Sequence, residues 1–216
     1  MANYFQRLPN FKYQNLLEDS LNGDKIAVKN IFRRAKIRND IFNNLVFFDQ
    51  YAIVGDERPD QVAFKFYDDP DLDWVILVSN NILNLQSEWP IPQHVYNEYL
   101  LTKYGSDEKL FENHHFESQE LKDSTGAVVF PAGLNIPENY EFEYFDSNVQ
   151  QKKFHTNFGT PVTNFLYEER LQEKRRLIYV LKADYLNIVL DDMKDIMTYK
   201  KGSSEYISGT LKDTTI

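Results

Sequence analysis

The chain has 216 residues, a formal net charge of -9 at pH 7 and no cysteine. The lack of cysteine excludes disulfides and thiolate metal sites, and the acidic balance disfavours a nucleic-acid partner because phosphate binding rests on Lys and Arg. The longest apolar runs, 74–78 and 177–181, are far shorter than the roughly 20 residues of a membrane helix, and no secretion signal opens the chain, which disfavours a membrane location.

The first segment, residues 1–45, combines an N-terminal arm with a basic stretch. In the arm, residues 1–23, apolar side chains are spaced irregularly around Pro9, and Asn22-Gly23 ends it. Such a segment forms no stable element alone, and it either orders on another surface or stays a floppy terminus. From 24 to 44 the apolar spacing fits a helix and a strand equally well. This stretch carries a basic run: Lys25, Lys29, Arg33, Arg34, Lys36 and Arg38.

Residues 46–105 are the predicted core, which begins as a strand-helix-helix-strand unit. Pro59 suits the first position of a helix, because its missing N–H would be unpaired there anyway. Trp74 to Val78 are apolar all round, so the second helix should be buried on most sides. The predicted elements are a strand at 46–54, the Gly55-Asp56 turn, helices at 59–67 and 72–79, an end at Asn80-Asn81 and a return strand at 82–85 that pairs with the first.

The core ends with a rigid extended exit at Glu88-Trp89-Pro90 and an amphipathic helix, 94–104, closed by Gly105. Residues 106–160 are predicted to be a β-rich insertion. Within it, 115–133 forms a hairpin around the turn 122–126, and 140–145 forms another strand.

Residues 161–200 are predicted to be a C-terminal helical region. A helix at 164–175 is followed by 176–181, which is either a strand or a continuation of the helix. Asp184 then caps a helix with one apolar stripe, and the polar tail 201–216 is flexible or lies on a partner. The stripe consists of Leu186, Val189, Leu190, Met193, Ile196 and Met197.

Catalytic patterns are missing from the sequence. It contains no nucleophile elbow, P-loop or dinucleotide fingerprint, and carboxylate pairs such as Asp68-Asp69 are typical of any acidic surface. One cluster has metal-binding residue types, but adjacent histidines on a strand point to opposite faces and rarely bind one ion. We therefore predict no catalytic, cofactor or metal site. The cluster is Glu112, His114, His115 and Glu117.

The landmarks of the core resemble the LysM module, a small glycan-binding fold. They are Tyr51, Gly55-Asp56, Val62-Ala63, Tyr67, Trp74, Asn80 and Ile82, in that order. The resemblance implies a sugar groove between the loops 55–60 and 80–83, with Tyr67 and Trp74 in the core. In this chain Glu57 and Arg58 stand where the module has a small hydroxyl and an apolar residue. The change removes what the groove offers a sugar and adds charges suited to a protein partner.

Longer motifs between Ile31 and Gly105 are similar to a baseplate wedge protein of contractile-tailed bacteriophages, a family built on a LysM-like core. They read Gly-Asp-Glu-Arg-Pro-Asp, Asp-Trp-Val-Ile-Leu, Glu-Trp-Pro and Lys-Tyr-Gly. The resemblance implies an α+β fold with an extended arm, a hairpin region and C-terminal helices. It also implies a protein without enzymatic activity, cofactor or small-molecule substrate, assembled in the host cytoplasm into the virion tail. Its partners would be other wedge subunits and neighbouring wedges around the central hub.

Exposed charges and aromatic arms suit a permanent assembly, in which extended segments gain large contact areas. We predict that the contact surface consists of Tyr4, Phe5, Arg33, Arg34, Arg58, Pro59, Trp89 and Pro90. For Trp89 and Pro90, the alternative is packing on their own domain. Two other functions stay open at this point: a LysM-type binder of peptidoglycan or another glycan in a tail component, and a small cytosolic enzyme with an unrecognised site.

Overall fold

The computed structural model describes residues 3–15, 24–202 and 205–213, and it confirms the predicted α+β class. The predicted end of the arm at Asn22-Gly23 lies outside these residues. The helices are α1 (Tyr4–Arg7), α2 (Asn39–Phe42), α3 (Pro59–Tyr67), α4 (Asp73–Ser79), α5 (Leu85–Glu88), α6 (Gln93–Tyr104), α7 (Asp107–Leu110), α8 (Asn164–Arg176) and α9 (Ala183–Met197). The strands are β1 (Asn10–Gln14), β2 (Lys25–Lys29), β3 (Phe48–Ala52), β4 (Asn113–Ser118), β5 (Leu121–Lys122), β6 (Val128–Phe130), β7 (Asn135–Ile136), β8 (Phe142–Asp146), β9 (Gln151–His155), β10 (Gly159–Thr163), β11 (Leu177–Leu181), β12 (Tyr206–Ser208) and β13 (Leu211–Lys212).

The chain forms two compact units. The core unit consists of residues 1–89 and 176–216, and the inserted unit consists of residues 90–175. The core unit is therefore made of two separate stretches of sequence, with the inserted unit between them along the chain. The division into five segments stays a prediction.

Strand β3 in the core unit pairs antiparallel with β11, from Phe48 opposite Leu181 to Ala52 opposite Leu177. The return strand predicted at 82–85 is wrong, because this stretch leads into helix α5. The Asn84 side chain caps α5, and the Glu88 carboxylate accepts hydrogen bonds from the backbone N–H groups of Leu83 (2.5 Å) and Asn84 (3.1 Å). Side chains thus satisfy the amides that a strand would have used.

Helices α3 and α4 form as their local sequence predicts. Pro59 is the first residue of α3, and the Gln61 side chain accepts a hydrogen bond from the Arg58 N–H, as in a capping box. Asp68 ends the helix in the left-handed conformation, with φ of 55°. In α4, residues Trp74 to Ile76 are almost fully buried, which confirms most of the predicted apolar helix. Both helices pack into a hydrophobic cluster with β3, β11 and α9.

The arm and the tail lie together in one sheet of the core unit, in the order β12-β13-β1-β2. Strand β1 pairs antiparallel with β2 and parallel with β13, where Asn10 lies opposite Leu211. The open choice between helix and strand for the basic stretch is thus settled as a strand followed by the short helix α2. The expectation of a flexible tail is wrong for 206–208 and 211–212, which form strands.

The C-terminal part of the core unit follows the prediction closely. The stretch 177–181 is a strand, so its reading as a continued helix is wrong. Helix α9 begins at Ala183, with Lys182 rather than Asp184 at the N-cap position. Of its predicted stripe, Val189, Met193 and Met197 are buried and Leu186 and Leu190 are half-buried against the core, whereas Ile196 is exposed.

The inserted unit contains the sheet β10-β4-β7 and two separate hairpins, β5-β6 and β8-β9. The predicted turn at 122–126 joins β5 to β6, but the residues before it belong to β4, which pairs with β10 and β7 instead. Strand β8 confirms the predicted strand at 140–145. Helix α6 ends at Gly105 with φ of 84°, as predicted, because a left-handed cap favours glycine.

Candidate protein-interaction surface

The loop 54–58 follows β3, and hydrogen bonds within the chain fix its conformation. The Glu57 carboxylate accepts hydrogen bonds from the Tyr51 hydroxyl (2.5 Å) and the Val54 N–H (3.2 Å), and Lys65 lies 3.7 Å away. Burial acts to raise the pKa of Glu57, but these hydrogen bonds and the Lys65 charge lower it on balance. The carboxylate is therefore ionised at neutral pH and fixes the turn.

Two residues distant in sequence hold the backbone of the same loop. The Trp89 Nε1–H donates to the Glu57 carbonyl (3.0 Å), and Arg176 donates to the Gly55 carbonyl (2.8 Å). Arg58 stays exposed, with its guanidinium on both Asp60 carboxylate oxygens at 3.1 and 2.6 Å. The loop is thus a fixed turn with one charged pair on its outer side.

Asn80, after α4, is also used internally. Its Nδ2 donates to the carbonyls of Ile76 and Tyr179 (both 2.8 Å), and its Oδ1 accepts from the Tyr179 N–H (2.7 Å). This side chain joins the end of α4 to β11. The polar groups on both sides of the predicted sugar groove therefore stabilise the fold.

The predicted contact residues differ in exposure. Phe5, Arg34 and Arg58 are exposed, Tyr4 and Arg33 are half-buried, and Pro59, Trp89 and Pro90 are buried. Trp89 packs in the hydrophobic cluster of the core unit. Whether these residues bind a partner stays a prediction, and three of the eight are exposed in the chain.

Arg33 and Arg34 are neighbours with different surroundings. Arg33 donates to the carbonyls of Ile196 (2.5 Å) and Thr198 (3.4 Å) at the end of α9, and its guanidinium lies 4.6 Å from the centre of the Tyr199 ring. A cation at this position also complements the helix dipole. Arg33 therefore stabilises the fold, whereas Arg34 forms no ion pair with any residue in the described ranges.

Most of the basic run has hydrogen-bond or ion-pair partners within the chain. Lys25 pairs with Asp213 (2.8 Å), Lys29 donates to the Leu8 carbonyl (2.9 Å), and Arg38 lies 3.3 Å from Asp192. Spacing along the sequence did not reveal these partners, because they come from the opposite end of the chain or from the arm. Arg34 and Lys36 are the exposed cations of the run that have neither an ion pair nor a hydrogen bond within the described part of the chain, whereas Lys29 binds backbone carbonyls.

Three cavities on the core unit share Arg34 as a lining residue. A basic cavity of about 920 Å³ is also lined by Arg33, Tyr199, Lys200 and Lys212. An acidic groove of about 680 Å³ runs past α1 and the start of α4, and a smaller cavity of about 470 Å³ lies beside α2. Sequence reasoning selected Arg34 but missed the cavities, which bring together residues from 3 to 212.

The histidine cluster lies in the inserted unit. The His114 ring stacks on Tyr167 with 4.0 Å between centroids, and the Nδ1 atoms of His114 and His115 are 2.8 Å apart, so the expectation that the two rings point apart is wrong. Glu117 forms an ion pair with Arg170 (2.7 Å). Within the described residues, no group of three or more His, Asp or Glu side chains is arranged to hold a metal ion. In the same residues, no helix has the length and apolar character to cross a membrane.

Comparison with known proteins gives a family for this chain. The family model described as base plate wedge protein 53 matches residues 10–196, which include most of both units. No curated protein matches the sequence. The resemblance to baseplate wedge proteins is thereby confirmed, whereas the likeness of the core to LysM modules stays a prediction. The chain belongs to the base plate wedge protein 53 family, and its members are structural components of the phage tail baseplate.

Proposed function

We propose that this protein joins baseplate wedge proteins and helps to close the wedges around the hub, without catalysing a reaction. The family match supports the structural role, and the surface around Arg34 supports the joining role. The partners are other wedge subunits and neighbouring wedges, in the virion tail. The contact surface is centred on Phe5, Arg34 and Arg58. Arg33, Pro59 and Trp89 stabilise the neighbouring backbone.

Arg34 carries this proposal because of its position. It is exposed, lacks an ion pair within the described ranges and lines three cavities at once. Arginine is enriched at protein interfaces because its planar guanidinium forms paired hydrogen bonds with carboxylates. Nearby, Phe5 is 63% exposed on α1 and offers an aromatic contact. A charge and an aromatic ring beside concave surfaces are typical of the few residues that dominate binding energy.

The test is sedimentation of the chain, alone and mixed with the purified products of the other baseplate wedge genes of the same phage. We expect a defined heteromeric complex with the wild type and at least about tenfold weaker association with Arg34→Glu, because a contact charge is reversed. Lys201→Glu is the matched control, since Lys201 is an exposed cation of the core unit that lines none of the three cavities. Equal association of all three proteins would remove Arg34 from the interface, and no complex at all would refute the joining role.

A glycan-binding role predicts a different result. A LysM-type binder should change its tryptophan fluorescence on titration with N-acetylglucosamine oligomers. Because Glu57 and Asn80 are bound within the fold, we expect no change. A saturable change in fluorescence would support glycan binding instead.

A further inference from the structure

The acidic groove of the core unit combines apolar and acidic linings. Its apolar side includes Phe5 and Leu83, which are 63% and 67% exposed, together with the half-buried Leu77. Its acidic side includes Asp60, Asp71 and Asp73. Large apolar side chains beside a concave surface favour the burial of another apolar group.

The carboxylates in the groove differ in their partners. Asp60 is bound by both arms of the Arg58 guanidinium. Asp71 and Asp73 form no ion pair with a residue in the ranges 3–15, 24–202 and 205–213. Burial raises the pKa of Asp73, the hydrogen bond from the Trp74 N–H opposes this, and the charges of Asp60 and Asp71 raise it further. Arg34 also lines the groove but forms no ion pair with these carboxylates, and the three carboxylates outnumber it, so the groove carries net negative charge.

Trp74 leaves one polar group of the groove lining unpaired among the described residues. It lines the groove, is 4% exposed, and its Nε1–H has no hydrogen-bond acceptor within the described part of the chain. Buried tryptophan N–H groups normally find an acceptor, since an unmet donor away from water is costly.

We propose that the acidic groove binds an extended segment of another wedge protein, which packs an apolar side chain against Phe5 and Leu83 and places a Lys or Arg at Asp71 and Asp73. Charge complementarity selects this occupant over an acidic one. The inference rests on the proposed joining function and concerns the same surface, because Phe5 and Arg34 also line the groove. Arg34 offers a cation to a partner carboxylate, whereas Asp71 and Asp73 offer anions to a partner cation. The two contacts are therefore expected to respond to different substitutions.

Cross-linking identifies the occupant. The chain has no cysteine, so Leu83→Cys introduces a unique thiol that can carry a benzophenone label. In the complex of this labelled chain with purified wedge proteins, we expect light to cross-link the label to one segment that contains an apolar residue and a Lys or Arg. Leu45→Cys is the matched control, because Leu45 is equally exposed (67%) on the core unit and does not line the groove.

Charge removal tests the acidic side. Asp71→Asn with Asp73→Asn should weaken association with the cross-linked wedge protein about tenfold or more, because the partner cation loses both carboxylates. Asp184→Asn with Asp191→Asn removes the same charge from exposed positions on α9 and should leave association unchanged. Thermal unfolding of both double variants establishes that each is folded.

The possible results distinguish a failure of the groove proposal from a failure of the joining function. Cross-linking to a basic segment together with selective loss in the Asp71 and Asp73 variant supports the proposal. A complex that forms without cross-linking at position 83, or with an acidic segment there, overturns the groove and leaves the joining function intact. If no wedge protein binds the chain at all, the joining function fails and the groove proposal fails with it.

Discussion

The buried carboxylates of the inserted unit and the groove carboxylates of the core unit differ in their partners. In the inserted unit, the Glu168 side chain is fully buried and accepts hydrogen bonds from Lys103 (2.5 Å) and Tyr104 (2.9 Å). Asp146 in the same unit is buried as well, and Lys153 lies 2.8 Å from its carboxylate. In the core unit, Asp71 and Asp73 line an open groove and form no ion pair with a described residue, although Arg34 lines the same groove. A carboxylate with a full set of donors stabilises the fold, and one without them is available to a partner.

The largest effect on stability is expected at Glu168. Its replacement by Gln keeps the volume but removes the charge that Lys103 and two tyrosine hydroxyls face, so we expect a loss of about 2–3 kcal/mol in the free energy of unfolding. Urea unfolding of the whole chain measures the change. Glu169→Gln alters an exposed neighbour and should stay within about 0.5 kcal/mol of the wild type. A Glu168 variant as stable as this control would show that the buried network contributes nothing.

The second effect depends on pH and lies at Asp146. The Lys153 ion pair lowers the pKa of Asp146 well below its usual range, burial opposes this, and hydrogen bonds from Ser124 lower it further. A carboxyl with a lowered pKa in the folded state stabilises above its unfolded pKa of about 3.9, and this stabilisation is lost as the pH falls below that value. Asp146→Asn should therefore lower the melting temperature at pH 7, and the difference from the wild type should shrink below about pH 4.

The exposed Glu143 on the same hairpin provides the control. It pairs with Lys152 at 2.5 Å in solvent, and surface pairs contribute little. Glu143→Gln should leave the melting temperature close to that of the wild type at pH 7. If it lowers the melting temperature as much as Asp146→Asn does, burial of the Asp146 carboxylate is not the cause.

The smallest effect, of opposite sign, is expected at Asp73. Its pKa is raised, so the folded state binds a proton more readily than the unfolded state, and stability falls as the pH rises through the window above about 3.9. Asp73→Asn should remove this dependence and leave the chain as stable as the wild type at pH 7, or slightly more stable. Melting curves between pH 3 and 7 test it. A loss of stability at pH 7 would place Asp73 among the structural carboxylates, and the contrast between the units would fail.

The contrast between Arg33 and Arg34 also shows that partners within the fold decide which charged residue is available to another protein. Composition and spacing place both in one basic run, and nothing in the local pattern separates them. The difference arises because the end of α9, more than 160 residues later, offers carbonyls to Arg33 alone. A candidate interface can be selected from the sequence. Which of its residues are free to bind another protein is known only when their partners within the fold are known.

Local chemistry in the sequence was sufficient for several elements. Pro59, the left-handed cap at Gly105 and the apolar run from Trp74 depend on φ preferences and on periodicity within one or two turns, so helices α3, α4 and α6 were predictable. The wedge-family motifs are likewise local.

The strand partners could not be predicted from local sequence. Strand β3 pairs with β11 and β1 pairs with β13, across about 130 and 200 residues. Such pairings depend on long-range packing and loop closure, which leave no periodic trace in either strand. The sheet of arm and tail, the cavities around Arg34 and the acidic groove were therefore settled by the folded chain.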